Sequence, residues 1–163
     1  IVYGFGISTG FKNFDISCFF QGSARSSFWI NPTAGGTAPF VGAEGGTSNA
    51  LLQVWADNHW TEENQNCFAL WPKFSDQENK NNTQTSTWFM RDGSFLRLKT
   101  VEGGYTLPAK FSRKLGMESF RIYFSANNLF CFSKFDLWDP EMAGDGLGYP
   151  LQRVYNIGLN VQF

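Results

Sequence analysis

Apolar and small or polar side chains alternate over several long stretches of this chain. In the first, Tyr3, Phe5, Ile7, Thr9 and Phe11 are interleaved with Gly4, Gly6, Ser8 and Gly10. After Lys12-Asn13 the pattern resumes, with Phe14, Ile16, Cys18 and Phe20 set against Asp15, Ser17, Phe19 and Gln21. A period of two puts each set on its own face of a strand. The two runs therefore predict a β-hairpin closed by a two-residue turn, with Asn13 the residue suited to a positive φ. A third extended run is predicted from Trp88 to about Leu107, broken near Asp92-Gly93. Within it Leu96 and Leu98 share one parity while Val101, Tyr105 and Leu107 have the other. A β-bulge around Lys99 to Thr100 reconciles them, because one extra residue exchanges the faces. Phe120, Ile122, Phe124 and Ala126 against Arg121, Tyr123, Ser125 and Asn127 predict a fourth strand. In the fifth, Tyr155, Ile157, Leu159, Val161 and Phe163 alternate with Asn156, Gly158, Asn160 and Gln162.

The connections predicted between these strands run short, long, short, long. From Gly22 to about Thr87 the period is lost. Pro32, Gly35-Gly36, Pro39, Gly45-Gly46 and the polar run Asn79 to Thr87 are loop chemistry, with one short helix predicted over Ser48 to Asp57, capped by Ser48 or Asn49. Pro108 to Met117 is compact, and Ser133 to Pro150 is a second Gly/Asp/Pro loop. A sixty-residue loop is anomalous in a compact soluble domain. Outer-membrane barrels, in contrast, join short periplasmic turns to long extracellular loops, and a tilted strand of about ten residues crosses a bilayer. The predicted fold is all-β: an antiparallel meander of about five strands, a segment of a transmembrane β-barrel with long extracellular loops.

Composition agrees. Aromatics are 18% of the 163 residues and Phe alone contributes 18 of them, more than one small core uses. Charged residues are 17%, against roughly 25% in soluble domains. No run approaches the length of a membrane-spanning helix. A net charge of −1 makes no case for nucleic acid or for an anionic membrane surface. Ile1 already lies within a strand pattern and no signal peptide precedes it, so the chain is expected to be the tail of a longer polypeptide.

Candidate chemistry is sparse. Cys18, Cys67 and Cys131 lack metal-ligand spacing; Cys18 and Cys131 read as small apolar residues. With a single histidine, His59, no zinc site is predicted. Glu62 and Glu63 beside His59, and Asp136, Asp139, Glu141 and Asp145, are carboxylates of the kind glycoside hydrolysis uses in pairs. They fall in irregular loops, where solvated charge is the simpler reading, and the second group lacks EF-hand spacing. Gly144-Asp145-Gly146-Leu147-Gly148 follows no strand-to-helix pattern and reads as a turn, not a phosphate loop. No catalytic residue, metal or cofactor is therefore predicted. Trp88, Tyr105, Tyr123 and Tyr155 are expected as interface aromatics at strand ends.

Several segments, in sequence order, resemble the C-terminal end of SusC/RagA-like TonB-dependent outer-membrane transporters. They are Phe11-Lys12-Asn13-Phe14-Asp15-Ile16, Trp60-Thr61-Glu62-Glu63-Asn64 with Trp71-Pro72-Lys73, and Arg91-Asp92-Gly93-Ser94-Phe95-Leu96-Arg97-Leu98-Lys99 with Gly104-Tyr105-Thr106-Leu107-Pro108. Arg121-Ile122-Tyr123, Asn127-Asn128-Leu129-Phe130, Asp139-Pro140-Glu141, Tyr149-Pro150 and Gly158-Leu159-Asn160-Val161-Gln162-Phe163 complete the series. Gly103 departs from the bulky apolar residue usual there, Lys73 from Arg and Phe95 from Tyr. The resemblance implies the last five strands of a roughly 22-stranded barrel, without plug or N-terminal strands.

It also implies an importer of glycan or peptide in the outer membrane of a Gram-negative bacterium. Its partners would be a SusD-like surface lipoprotein, the TonB complex acting through the plug, the barrel-assembly machinery and outer-membrane lipid. The loop aromatics Trp29, Trp55, Trp60 and Trp71 are then candidates for substrate stacking, against the simpler reading that they pack the loop. Tyr155, Leu159, Val161 and Phe163 are candidates for the assembly signal. The alternatives are a soluble β-sandwich carbohydrate-binding module using Trp60 and Trp71, and a hydrolase built on Glu62 and Glu63.

Overall fold

The computed structural model describes residues 1–31, 53–74, 79–82, 84–144, 146 and 148–163. Five long strands form one antiparallel sheet: β1 (Val2–Phe11), β2 (Phe14–Ser23), β5 (Phe95–Thr106), β6 (Ser119–Ser133) and β7 (Val154–Gln162), in that spatial order. The short strands β3 (Ser27–Trp29) and β4 (Met90–Asp92) pair with each other in a separate sheet. The chain divides into two compact units. One comprises Ile1–Ser26, Ser94–Lys134 and Leu151–Phe163; the other comprises Ser27–Gly93 and Phe135–Pro150, which are the two long connections.

The β1–β2 hairpin closes at Phe11↔Phe14 as predicted, but the positive φ falls on Lys12, at 57°. Asn13 has a different task. Its Nδ2 donates to the Thr106 carbonyl at 2.8 Å and its own carbonyl accepts from the Thr106 amide at 2.8 Å, fastening the turn to β5. The bulge is where parity demanded it. Phe20 faces Leu98 and Phe19 faces Thr100, so Lys99 is the extra residue. On the other side Leu98 faces Phe130 and Thr100 faces Asn127. Asn128 takes a φ of 56° there, which lets β6 run on past Asn127 to Ser133, farther than its alternation predicts. The Trp88-to-Leu107 run is interrupted next to Asp92-Gly93, as predicted, but its first residues are not extended. Thr87–Phe89 is a 3₁₀ turn, β4 follows, and the chain breaks at Gly93-Ser94 before β5.

Of the predicted Ser48–Asp57 helix, α1 (Gln53–Asp57) is seen, and its proposed caps lie outside the described residues. A second short helix, α2 (Ala109–Ser112), runs into the 3₁₀ turn Arg113–Leu115 and ends on Gly116 at φ 74°. Among the described residues no helix is long and apolar enough to cross a membrane.

Candidate functional site

The register gives the five-stranded sheet two chemically distinct faces. Cross-strand partners share a face, so Thr9, Ile16, Gly103, Phe124 and Ile157 form one row, and Ile7, Cys18, Val101, Ala126 and Tyr155 the next. This is the apolar face, and its larger side chains are exposed, with the small Ala126 buried among them. Ile157 is 78% exposed, Leu159 61% and Phe124 44%, values far from those of side chains beneath a second layer. Aromatics pair along it: Phe5 with Phe20 at 5.1 Å, Phe14 with Tyr105 at 4.6 Å, Phe124 with Tyr155 at 6.3 Å between ring centroids. Around Gly103 the face carries an open groove of about 620 Å³ whose walls include Phe11, Phe14, Ile16, Tyr105, Ile122 and Phe124.

The opposite face is polar and internally tied. Arg121 on β6 donates to Asp15 on β2, Nη2 to Oδ2 at 2.5 Å and Nε to Oδ1 at 3.2 Å, and Nη2 also donates to Glu102 Oε1 on β5 at 2.8 Å. To reach Asp15 the guanidinium must pass over β5. It does so at Gly104, where a Cβ would lie 2.5 Å from the guanidinium nitrogens. One arginine thus clasps three strands, in the two-pronged geometry that guanidinium and carboxylate favour. Tyr123 lies on this same face, covering Gly158, with Arg121 over its ring at 5.2 Å. Its expected place among interface aromatics is therefore corrected: its parity in β6 is that of Arg121. Cys131, opposite Arg97, also belongs to the polar face and is exposed, whereas Cys18 sits on the apolar row as expected.

The loop unit has the only aromatic-rich core among the described residues, built from Ile30, Trp55, Leu70, Trp71, Phe89 and Phe135. Trp55 is 1% exposed and Trp71 4%, and they contact edge to face at 5.6 Å between centroids. Neither offers a ring face to a sugar. Trp88 packs against this core as well, which corrects its assignment to the membrane interface. Trp29 is exposed, at 48%, and Trp60 is half-buried.

The Trp60–Asn64 and Trp71–Lys73 segments lock together. The Trp60 amide donates to the Trp71 carbonyl at 3.0 Å, and the Trp71 amide to the Asn58 carbonyl at 3.2 Å. The Asn64 amide donates to Thr61 Oγ1 at 2.9 Å. Lys73 bonds Glu62 and reaches over the Trp60 ring at 6.0 Å; beside that ammonium the Glu62 carboxyl is held below its usual range.

The hydrolase candidates do not converge. His59 directs Nδ1 at the carbonyls of Ala56 (2.8 Å) and Trp55 (3.2 Å) and stacks on Phe74 at 4.1 Å, while Glu62 is occupied by Lys73. Asp139 accepts from the Glu141 amide at 3.0 Å as a cap, and Asp145 lies outside the described residues. No cluster of three metal-ligating side chains occurs among the described residues. In the glycine-rich turn Trp138 covers Gly146 and donates Nε1 to the Ala143 carbonyl at 2.8 Å.

An antiparallel sheet with one bare apolar face and one polar, cross-linked face is a segment of β-barrel wall. Known proteins of that class resemble it. No protein-family model matches the chain. It is 28% identical to TonB-dependent receptor P3 of Formosa agariphila over 98% of its length, and 28% identical to TonB-dependent receptor P26 of the same organism over all of it. Its fold matches a part of the RagAB peptide importer. The match to the open-open state has a TM-score of 0.66 at 24% identity, and that to the closed-closed state 0.67 at 23%, covering 99% of this chain each time. The chain thus has the fold of a β-barrel segment, similar in sequence to TonB-dependent receptors and in fold to RagA-like transporters. It spans about one sixth of these relatives, 16% and 17% of the two receptors and 17% of the RagAB chain.

Proposed function

We propose that this chain is part of the barrel wall of a TonB-dependent nutrient importer in a Gram-negative outer membrane, and that it forms the barrel's C-terminal strands. The observation that carries the reading is the bare apolar row through Phe124 and Ile157 on a sheet whose other face is polar and ion-paired. Hydrocarbon is the solvent that such a face fits, since an exposed patch of this size in water invites aggregation. The cargo is a glycan or peptide, delivered with a SusD-like lipoprotein over the long loops and driven by TonB through a plug elsewhere in the polypeptide. Peptide gains weight because the relatives of matching fold are RagAB peptide importers. Any stacking on cargo by the four candidate tryptophans falls first to Trp29, the exposed one, since Trp60 is half-buried with Lys73 over its ring.

The test is bromine quenching in the whole polypeptide. Tryptophan at Ile157→Trp should be quenched by brominated acyl chains, and tryptophan at Asn156→Trp should not. Equal behaviour at the two positions would overturn the reading in favour of the soluble β-sandwich alternative.

A further inference from the structure

We propose that the end of the sheet bearing the two short connections binds an anionic phospholipid, its headgroup on Lys110, Arg113 and Lys114 and one acyl chain in the groove over Gly103. This rests on the membrane reading above and goes beyond it by naming a lipid class and a seat.

The first observation is local charge. A net charge of −1 hides an uneven distribution. The connection from Pro108 to Glu118 carries three exposed cations, Lys110, Arg113 and Lys114, and a single carboxylate, Glu118. Lys12, also exposed, stands in the turn that Asn13 fastens to the end of β5, from which this connection departs. The second observation is what lies among those cations. Phe111 is 55% exposed and Leu115 68%, although the connection is well built. Ser112 is buried, its carbonyl accepting from the Met117 amide at 3.0 Å, and the Leu107 amide donates to the Phe120 carbonyl at 2.8 Å. A merely solvated loop has no use for bare Phe and Leu between its charges. A segment lying in the headgroup layer does, because its rings enter the acyl boundary while its cations meet phosphate.

The third observation is the groove. Gly103 interrupts a bulky row, between Ile16 and Phe124. Neither backbone nor crowding calls for glycine there. Its φ is not positive, and a Cβ would meet nothing nearer than the Asp15 carbonyl oxygen at 3.8 Å. What glycine leaves is a trough of about 620 Å³, within the roughly 300–1,000 Å³ of ligand pockets. Phe11 and Phe14 form its end at the Lys12 turn, so the trough and the basic connection lie at the same end of the sheet.

The whole polypeptide in detergent is titrated with long-chain phosphatidylglycerol and with phosphatidylcholine, bound lipid being counted by native mass spectrometry. Phosphatidylglycerol should be preferred. At about fivefold per cation, Lys110→Gln/Arg113→Gln/Lys114→Gln should weaken it roughly a hundredfold at low ionic strength, and Lys73→Gln/Lys80→Gln should not. Gly103→Leu should weaken long-chain lipid and spare the dihexanoyl form. Equal binding of the two lipids, a preference that survives the triple substitution, full competition by inorganic phosphate, or indifference of long-chain lipid to Gly103→Leu would each overturn the proposal. Quenching at Ile157→Trp reports the membrane reading separately: if it persists while the lipid preference fails, only the lipid site is lost.

Discussion

Gly103 and Gly104 are neighbours on β5 with opposite duties, because successive strand residues face opposite sides. Over Gly104 lies the Arg121 guanidinium on its way to Asp15; over Gly103 lies open space. Gly104→Val should therefore displace the arginine and destabilise the barrel by about 1–3 kcal/mol, the usual range for overpacking. Gly103→Ala should change stability little. Chemical denaturation of the folded whole polypeptide measures both, and equal effects would mean that Arg121 does not cross at Gly104. The loop pair Glu62–Lys73 makes a pH prediction. The Glu62 pKa is lowered in the folded protein, foremost by its hydrogen bond to Lys73. A depressed carboxyl contributes stability that is fully present above its unfolded value near 4.5 and is lost as pH falls through the lower folded value. Both side chains are more exposed than buried, so screening keeps the effect small. The clean readout is the Glu62 titration itself by NMR, which Lys73→Met should move back toward the ordinary carboxylate range.

At the scale of elements, the loop unit owes its order to aromatic packing, not to backbone ladders. Trp55→Ala removes a side chain that is 1% exposed and should destabilise that unit by about 3–5 kcal/mol. Trp60→Ala, at a half-buried position outside that core, should do less. Protease nicking of the loops, with the strands left intact, distinguishes the two. The β7 strand carries a different expectation. Its outward row is Tyr155, Ile157, Leu159 and Val161, with Phe163 89% exposed beyond it. If barrel-assembly machinery reads this row, deletion of Phe163 in the whole polypeptide should lower the assembled amount without altering synthesis.

The elements differed in how far the sequence disclosed them. Period-two alternation exposed all five long strands, and the parity change between Leu98 and Val101 located the bulge before any pairing was known. The extension of β6 past Asn127 was hidden because Asn128, a loop-like residue, takes a left-handed φ inside a strand. The pairing of β3 with β4 joins residues some sixty apart through three-residue strands, too short for any period to register. Burial of Trp55 and Trp71 could not be read from residue type, since a ring that stacks on cargo and a ring that fills a core have the same sequence signature.

At the scale of the whole molecule, the proposed barrel wall sets its two faces in two different solvents. On β7, Ile157 and Asn156 are adjacent, both exposed, and point to opposite faces. In a soluble protein an arginine at either place would be tolerated about equally, as surface substitutions generally are. In a barrel wall the positions are unlike. An arginine facing lipid near the bilayer midplane is unfavourable by about 2–4 kcal/mol, while a lumen-facing one affects mainly selectivity. Ile157 lies near the middle of the Val154–Gln162 strand, where that penalty is greatest. Ile157→Arg should therefore reduce folding of the whole polypeptide into phosphatidylcholine vesicles by a factor of roughly thirty to a thousand in the equilibrium constant, and Asn156→Arg by far less. The measurement is reversible unfolding in the presence of those vesicles. Near-equal effects of the two arginines would mean that water, not hydrocarbon, bathes both faces.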